Sequence, residues 1–202
     1  MKLLFKQIHN GAKFLPLHYT QSMDFATNKL QVILNNLSVK PNSVAAKYIE
    51  RMLDYCGQKG VKDEVRYCAT SLEAIVDFVT LNSNSGKNNY MVVSTEEEKD
   101  VLLEYTIQEA TKVGNDDQHN LVCHKVNNPY VVFLCHNLRS TDVYSVSLVD
   151  AKGKQMNAIA VCHKDTSDWY PKHIAFQILK VKPGNKHICH FLSGDTIVWH
   201  RK

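Results

Sequence analysis

Four of the six cysteines in this chain are followed at once by histidine: Cys123-His124, Cys135-His136, Cys162-His163 and Cys189-His190. The gaps between successive pairs are 10, 25 and 25 residues. Ten histidines and six cysteines in 202 residues would rarely give four such adjacencies by chance. Each pair sits on an apolar stretch with strand character: Leu121-Val122, Val131 to Leu134, Ile159 to Val161, and Ile188. Neighbouring side chains on a strand point to opposite faces. A cysteine and the histidine after it therefore cannot easily ligate one ion, which counts against a zinc finger and its C-x-x-C spacing. The simpler arrangement puts four cysteines on one face and four histidines on the other.

Cys123, Cys135, Cys162 and Cys189 can then pair into two disulfides. Three pairings are open, of which a Cys123–Cys135 hairpin staple is geometrically easy. The histidines would form a cluster with no thiolate in it. Such a cluster suits copper, zinc, nickel or iron, and Cu(II) binds most tightly of the divalent series. Oxidised cysteine is not a ligand, so a blue-copper site is disfavoured; imidazoles plus water would make a type II copper site. Two readings stand side by side: a metal cluster of His124, His136, His163 and His190, or hydrogen-bonded scaffold beside the disulfides.

The rest of the chain reads as two halves of one domain over 1–202. Residues from about 26 to 112 carry a helical pattern. Asn42-Ser43 can cap a helix with Val44, Ala45, Tyr48, Ile49, Met52 and Leu53 on one stripe. Thr70-Ser71-Leu72-Glu73 has capping-box form ahead of Ile75, Val76 and Val79. Ser94 with Glu97 repeats that signature ahead of Val101, Leu102 and Tyr105, and predicts a third helix. The polar run 82–89 reads as loop. From about 119 onward the period changes to two, and strands are predicted at 121–125, 130–136, 143–149, 157–163, 174–181, 187–192 and 196–200. The fold class is therefore α+β: a helical N-terminal half packed on an antiparallel, barrel- or sandwich-like C-terminal half, stapled by disulfides.

Composition excludes several classes. A net charge of +4 comes with 24 basic residues, of which only Arg51, Arg66, Arg139 and Arg201 are arginine. Nucleic-acid binding favours a dense basic patch with arginine forks, so no nucleic-acid partner is expected. No apolar run approaches the roughly 18 residues of a membrane span, so no membrane partner is expected. Even cysteine usage fits an oxidising compartment. Met1-Lys2-Leu3-Leu4-Phe5 is too short an apolar run for a signal peptide, which needs about 7–15 such residues. Cys56 and Cys68 are expected to form a disulfide between the first two helices, worth about 3 kcal/mol by loop entropy. His9, His18 and His119 fall in loop or terminal segments and are expected to be solvated. Tyr130, Tyr144 and Trp169 read as core or rim aromatics, and Glu96-Glu97-Glu98 as a helix start favoured by the helix dipole.

The spaced Cys-His pairs resemble the signature of the plant BURP-domain family. The surrounding text is similar too: Tyr67-Cys68-Ala69-Thr70-Ser71-Leu72-Glu73, Val161-Cys162-His163-Lys164-Asp165-Thr166-Ser167 with Trp169, Pro171-Lys172-His173-Ile174-Ala175-Phe176, Val181-Lys182-Pro183-Gly184, and Ile197-Val198-Trp199. The resemblance implies a secretory-pathway protein of the cell wall, extracellular space or vacuole, made with a signal peptide that this chain does not carry. Some members are copper-dependent peptide cyclases. With dioxygen as oxidant, they cross-link a Trp or Tyr side chain within a ribosomal core peptide. Others are seed, stress-responsive or cell-wall proteins with no assigned reaction. By motif match the copper ligands, for one or two ions, are His124, His136, His163 and His190, and the cysteines form disulfides. His173 is a further candidate, as fifth ligand or general base.

Two departures stand out. The family's last block often has histidine just before Ile-Val-Trp, where this chain has Thr196; His187 and His200 lie near enough in sequence to substitute. Cyclase cores usually begin with Gln and reach Trp or Tyr soon after, a pattern that follows neither Gln7 nor Gln21. The expected substrate is therefore a core peptide supplied in cis by a removed N-terminal segment, or in trans. The alternative is a non-enzymatic, disulfide-stapled secreted seed or cell-wall protein with structural metal or none.

Overall fold

The computed structural model describes residues 1–5, 8, 11–22, 27–58, 60, 64–82, 90–96, 102–114, 120–138, 140–184 and 186–201. Gln7, His9, His119, Glu97, Glu98 and 83–89 lie outside the described residues. In chain order the elements are β1 (Lys2–Leu3), α1 (Leu17–Ser22), α2 (Leu30–Asn36), α3 (Val44–Gly57), β2 (Arg66–Ala69), α4 (Leu72–Leu81), β3 (Tyr90–Val93) and β4 (Leu103–Val113). There follow β5 (Asn120–Val126), β6 (Val132–Leu138), β7 (Thr141–Asp150), β8 (Gln155–His163), α5 (Ile174–Leu179), β9 (Ile188–Phe191) and β10 (Thr196–Arg201).

The helix starts follow local chemistry. Ser43 caps α3 by accepting the Ala46 amide at 3.1 Å, and the stripe Ala46, Ile49, Met52 and Leu53 is buried. Ser71 caps α4 by accepting the Ala74 amide at 3.1 Å. That cap is one residue later than the capping-box pattern implies, and Glu73 falls in the first turn, where the helix dipole favours it. Cys56 and Cys68 are bonded, as expected, though they join α3 to strand β2 rather than two helices.

The strands form two five-stranded antiparallel sheets. The first runs β1-β4-β7-β8-β9, the second β2-β6-β5-β10-β3. Val122 and Val198 of the second sheet pack against Val143, Ile159 and Val161 of the first, so these faces form the core between the sheets. On the outer face of the second sheet, α4 brings Ile75, Phe78 and Val79 onto Leu121, Phe133 and the Cys123–Cys135 pair. α2 and α3 pack on the Val126–Val132 end of its inner face. Phe5 closes on Tyr105, Val146 and Ala158 at the outer face of the first sheet.

Three expectations are corrected. The N-terminal half is mixed rather than helical, since β1, β2, β3 and β4 all lie in it. The predicted third helix is strand β4, which pairs with β7 from Tyr105↔Asp150 to Val113↔Val143. Backbone pairing along that length overrides a local capping signature. The predicted strand 174–181 is instead helix α5, capped by His173, whose Nδ1 accepts the Ala175 amide at 3.2 Å. The other six predicted strands are present as β5 to β10.

Candidate metal centre

Register places the Cys-His pairs. Cys123 lies directly opposite Cys135 on β5 and β6, and Cys162 directly opposite Cys189 on β8 and β9. Both facing pairs are disulfides, which settles the pairing left open by the sequence. Alternation then sends the next residue of each strand to the other face. His136 lies opposite Val122 and His190 opposite Val161, both residues of the inter-sheet core. Each disulfide ladder thus presents a diagonal histidine pair on its far face: His124 with His136 from one sheet, His163 with His190 from the other. The ring centroids are 5.3 Å apart in the first pair and 5.6 Å in the second.

All four Nδ1 atoms are held by oxygen. His136 Nδ1 donates to Glu64 Oε1 at 2.6 Å, and His190 Nδ1 donates to the Phe191 carbonyl at 3.2 Å. His124 Nδ1 is 3.2 Å from Thr196 Oγ1, and His163 Nδ1 is 3.3 Å from Thr141 Oγ1. A hydroxyl donates or accepts, so the two threonines serve either tautomer. Nε2 is the other nitrogen of each ring, and His124 and His136 meet Nε2 to Nε2 at 3.2 Å. Neutral rings form a consistent chain: Thr196 O–H donates to His124 Nδ1, and His124 Nε2–H donates to His136 Nε2. His136 Nδ1–H then donates to Glu64.

Electrostatics keep two of these imidazoles, His124 and His163, neutral. Burial, reinforced by the charges that His136, His190 and His163 would carry, pushes His124 down to about 3. Burial first, then His190 and His136, pushes His163 down to about 4, against the opposing pull of Glu64. Neutral imidazole is the form that ligates metal.

The donor set fits a nitrogen-preferring ion. Metal-bound imidazole usually gives its other nitrogen to a carboxylate, carbonyl or similar partner, and here each Nδ1 has one. Two nitrogens bound at roughly 2.0–2.1 Å to one tetrahedral ion stand 3.3–3.4 Å apart, close to the His124–His136 separation. No thiolate competes, since all six cysteines are paired in disulfides. Among the described residues, no three His, Cys, Asp or Glu side chains converge as the ligands of one ion. The pairs are the units that are formed.

Trp169 lies against the second pair, its ring 4.8 Å from His163 and 4.8 Å from His173. His173 is therefore near the cluster, with its Nδ1 committed to the cap of α5. Of the two histidines that could substitute at the Thr196 position, His187 is exposed, while His200 is buried on the same face of β10 as Thr196. His18, expected to be solvated, is exposed and lies in helix α1 with its ring 4.5 Å from that of Tyr19. Sequence reasoning missed Glu64, Thr141 and the hydrogen-bonding role of Thr196. Glu64 is 72 residues from His136, and only the β2–β6 pairing brings them together.

A family model described as BURP domain matches residues 1–201. BURP domain-containing protein 5 of Oryza sativa subsp. japonica is 39% identical over 206 residues, covering 100% of this chain and 63% of that protein. BURP domain-containing protein 3 of the same organism is 42% identical, covering 95% of this chain and 45% of that protein. BURP domain protein RD22 of Arabidopsis thaliana is 40% identical, covering 92% and 47%. The chain thus spans about half to two thirds of the length of these relatives. With its four Cys-His pairs resolved into two disulfides and two histidine pairs, this chain belongs to the BURP-domain family.

Proposed function

We propose that the chain is a copper-dependent oxidative peptide cyclase, acting on a core peptide supplied in cis by a segment outside this chain or in trans. The observation that carries this reading is the engagement of all four Nδ1 atoms, which leaves the Nε2 atoms of His124, His136, His163 and His190 as the donors. One or two copper ions held there would supply one-electron chemistry with dioxygen. The disulfides hold the strands that carry the ligands. Trp169 provides an aromatic wall against His163, suited to a Trp or Tyr side chain of the peptide. Closing the ring joins two peptide positions with loss of one hydrogen from each. Both electrons and both protons pass to dioxygen, giving hydrogen peroxide. Three disulfides suit an oxidising compartment, and a secreted, cell-wall or vacuolar location is part of the proposal. No described helix is long and apolar enough to cross a membrane.

The test is mass spectrometry of peptides carrying a Gln-initiated, Trp- or Tyr-containing core, incubated with copper-loaded protein under air and under argon. The reading expects a product lighter by two hydrogens under air only, abolished by His163→Ala with all disulfides intact. Product formation by His163→Ala at the wild-type rate would contradict it. A second reading, a stapled extracellular scaffold, is favoured by the lack of three converging ligands among the described residues. It expects no product under either gas.

A further inference from the structure

Glu64 stands on the histidine side of the second sheet by construction. Arg66 is opposite His136 in the β2–β6 ladder, so Glu64, two residues earlier, shares the face of Arg66. The backbone beside it is clamped: Val65 N–H donates to Asn137 Oδ1 at 2.8 Å, and Asn137 N–H donates to the Val65 carbonyl at 3.2 Å. Behind it, Gly60 leaves no room, since a Cβ there would stand 2.8 Å from Glu64 Oε2 and 2.9 Å from the Glu64 carbonyl oxygen. The Glu64 and His136 side chains are each only 15% exposed. A carboxylate fixed this firmly is aimed at the Nδ1–H of His136 and accepts its hydrogen bond at 2.6 Å.

We propose that Glu64 is the positioning residue of the cluster: it locks His136 in the Nδ1–H tautomer with a bare Nε2 facing His124, and its charge strengthens that Nε2 as a metal donor. The tautomer half stands on the metal-free geometry alone. The donor half rests on the metal reading proposed above. Carboxylate–imidazole pairing of this kind typically changes metal affinity about 10–100-fold.

Long-range proton–nitrogen NMR of the metal-free protein reads the tautomer directly. Wild type is expected to show His136 protonated at Nδ1. Glu64→Gln keeps a carbonyl to accept that proton and keeps the tautomer, whereas Glu64→Ala loses it. Cu(II) alone is the probe for the donor half, titrated against a competing chelator with EPR on the same samples. Glu64→Ala is expected to weaken Cu(II) about 10–100-fold with altered nitrogen hyperfine splitting. Glu64→Gln falls between it and wild type, and Gly60→Ala, which displaces the carboxylate without removing it, shifts in the same direction. Disulfide mass and melting temperature show that each variant is folded. A His136 proton on Nε2 in wild type overturns the proposal whatever the metal does. Correct tautomer with unchanged Cu(II) affinity in all three variants overturns the donor half. Failure of wild type to hold Cu(II) overturns the metal reading and the donor half with it, while the NMR still decides the tautomer.

Discussion

His124 and His136 meet Nε2 to Nε2 at 3.2 Å on one face of a ladder whose other face carries the Cys123–Cys135 disulfide. The repeated Cys-His dipeptide produces this geometry directly. When two cysteines face each other on antiparallel strands, the residue after each lands on the opposite face, diagonal to the other. The dipeptide therefore encodes a staple and a histidine pair at once. Two such ladders, one in each sheet, put a histidine pair on the core-facing side of each sheet, with His190 exposed.

Burial predicts the order in which the staples open. Cys123 and Cys135 are fully buried beneath α4, whereas Cys189 is exposed and Cys162 half-buried. Reductant should open Cys162–Cys189 while the fold persists, and Cys123–Cys135 only as the protein unfolds. Timed alkylation with peptide mass mapping reads the order. Reduction of the buried pair first would contradict the packing described for α4.

Removing the staples should cost stability that rises slowly with the length of the loop each closes. The sequence separations are 12 for Cys123–Cys135 and 27 for Cys162–Cys189. Loop entropy alone assigns about 3 kcal/mol to the shorter and about 3.5 kcal/mol to the longer. Double Cys→Ser variants compared by denaturant unfolding provide the check. The buried pair should lose more than its loop accounts for, because two hydroxyls replace it in an apolar cluster.

Acid should destabilise the metal-free protein through its buried histidines. Unfolded histidine takes up a proton as pH falls through about 6.5. Folded His124 and His163 refuse it until about 3 and about 4. The unfolded state therefore binds more protons in that window. Stability is greatest above about pH 6.5 and declines below it, each such histidine costing about 1.4 kcal/mol for every pH step of one between those limits. Denaturation midpoints between pH 4 and 8 test this, and His124→Leu should flatten the acid limb. An unchanged limb in that variant would assign the acid sensitivity elsewhere.

Thr95 ties the sheets together. Just beyond β3, its buried hydroxyl donates to the Leu192 carbonyl at 2.8 Å and accepts the Ile159 amide at 3.0 Å. Thr95→Val keeps the shape and orphans both partners, at a cost of roughly 1–3 kcal/mol. Melting temperature measures the loss. No change would mean that water or backbone relaxation replaces the hydroxyl.

Much of this architecture is legible because strands announce themselves by period. The alternation around each Cys-His pair marks the β half and both histidine faces. It misleads at Ile174-Ala175-Phe176-Gln177-Ile178, where apolar residues at every second position lie on helix α5, with Ile174 and Ile178 exposed and only Phe176 buried. There the His173 cap and the Trp169–Phe176 contact outweigh the pattern. β4 misleads for the opposite reason: its state is set by its pairing with β7, from Tyr105↔Asp150 to Val113↔Val143, and not by its own residues. Glu64 carries no motif at all. Its role exists only through a pairing between strands far apart in the chain.

Metal content with Cu(II) EPR, on oxidatively folded and desalted protein, tests the central claim most directly. The account predicts one or two tightly held Cu(II) per chain with nitrogen hyperfine splitting, and loss of that signal in His124→Ala/His136→Ala. Protein with all three disulfides formed that retains no Cu(II) would contradict it, leaving the histidine face as hydrogen-bonded scaffold.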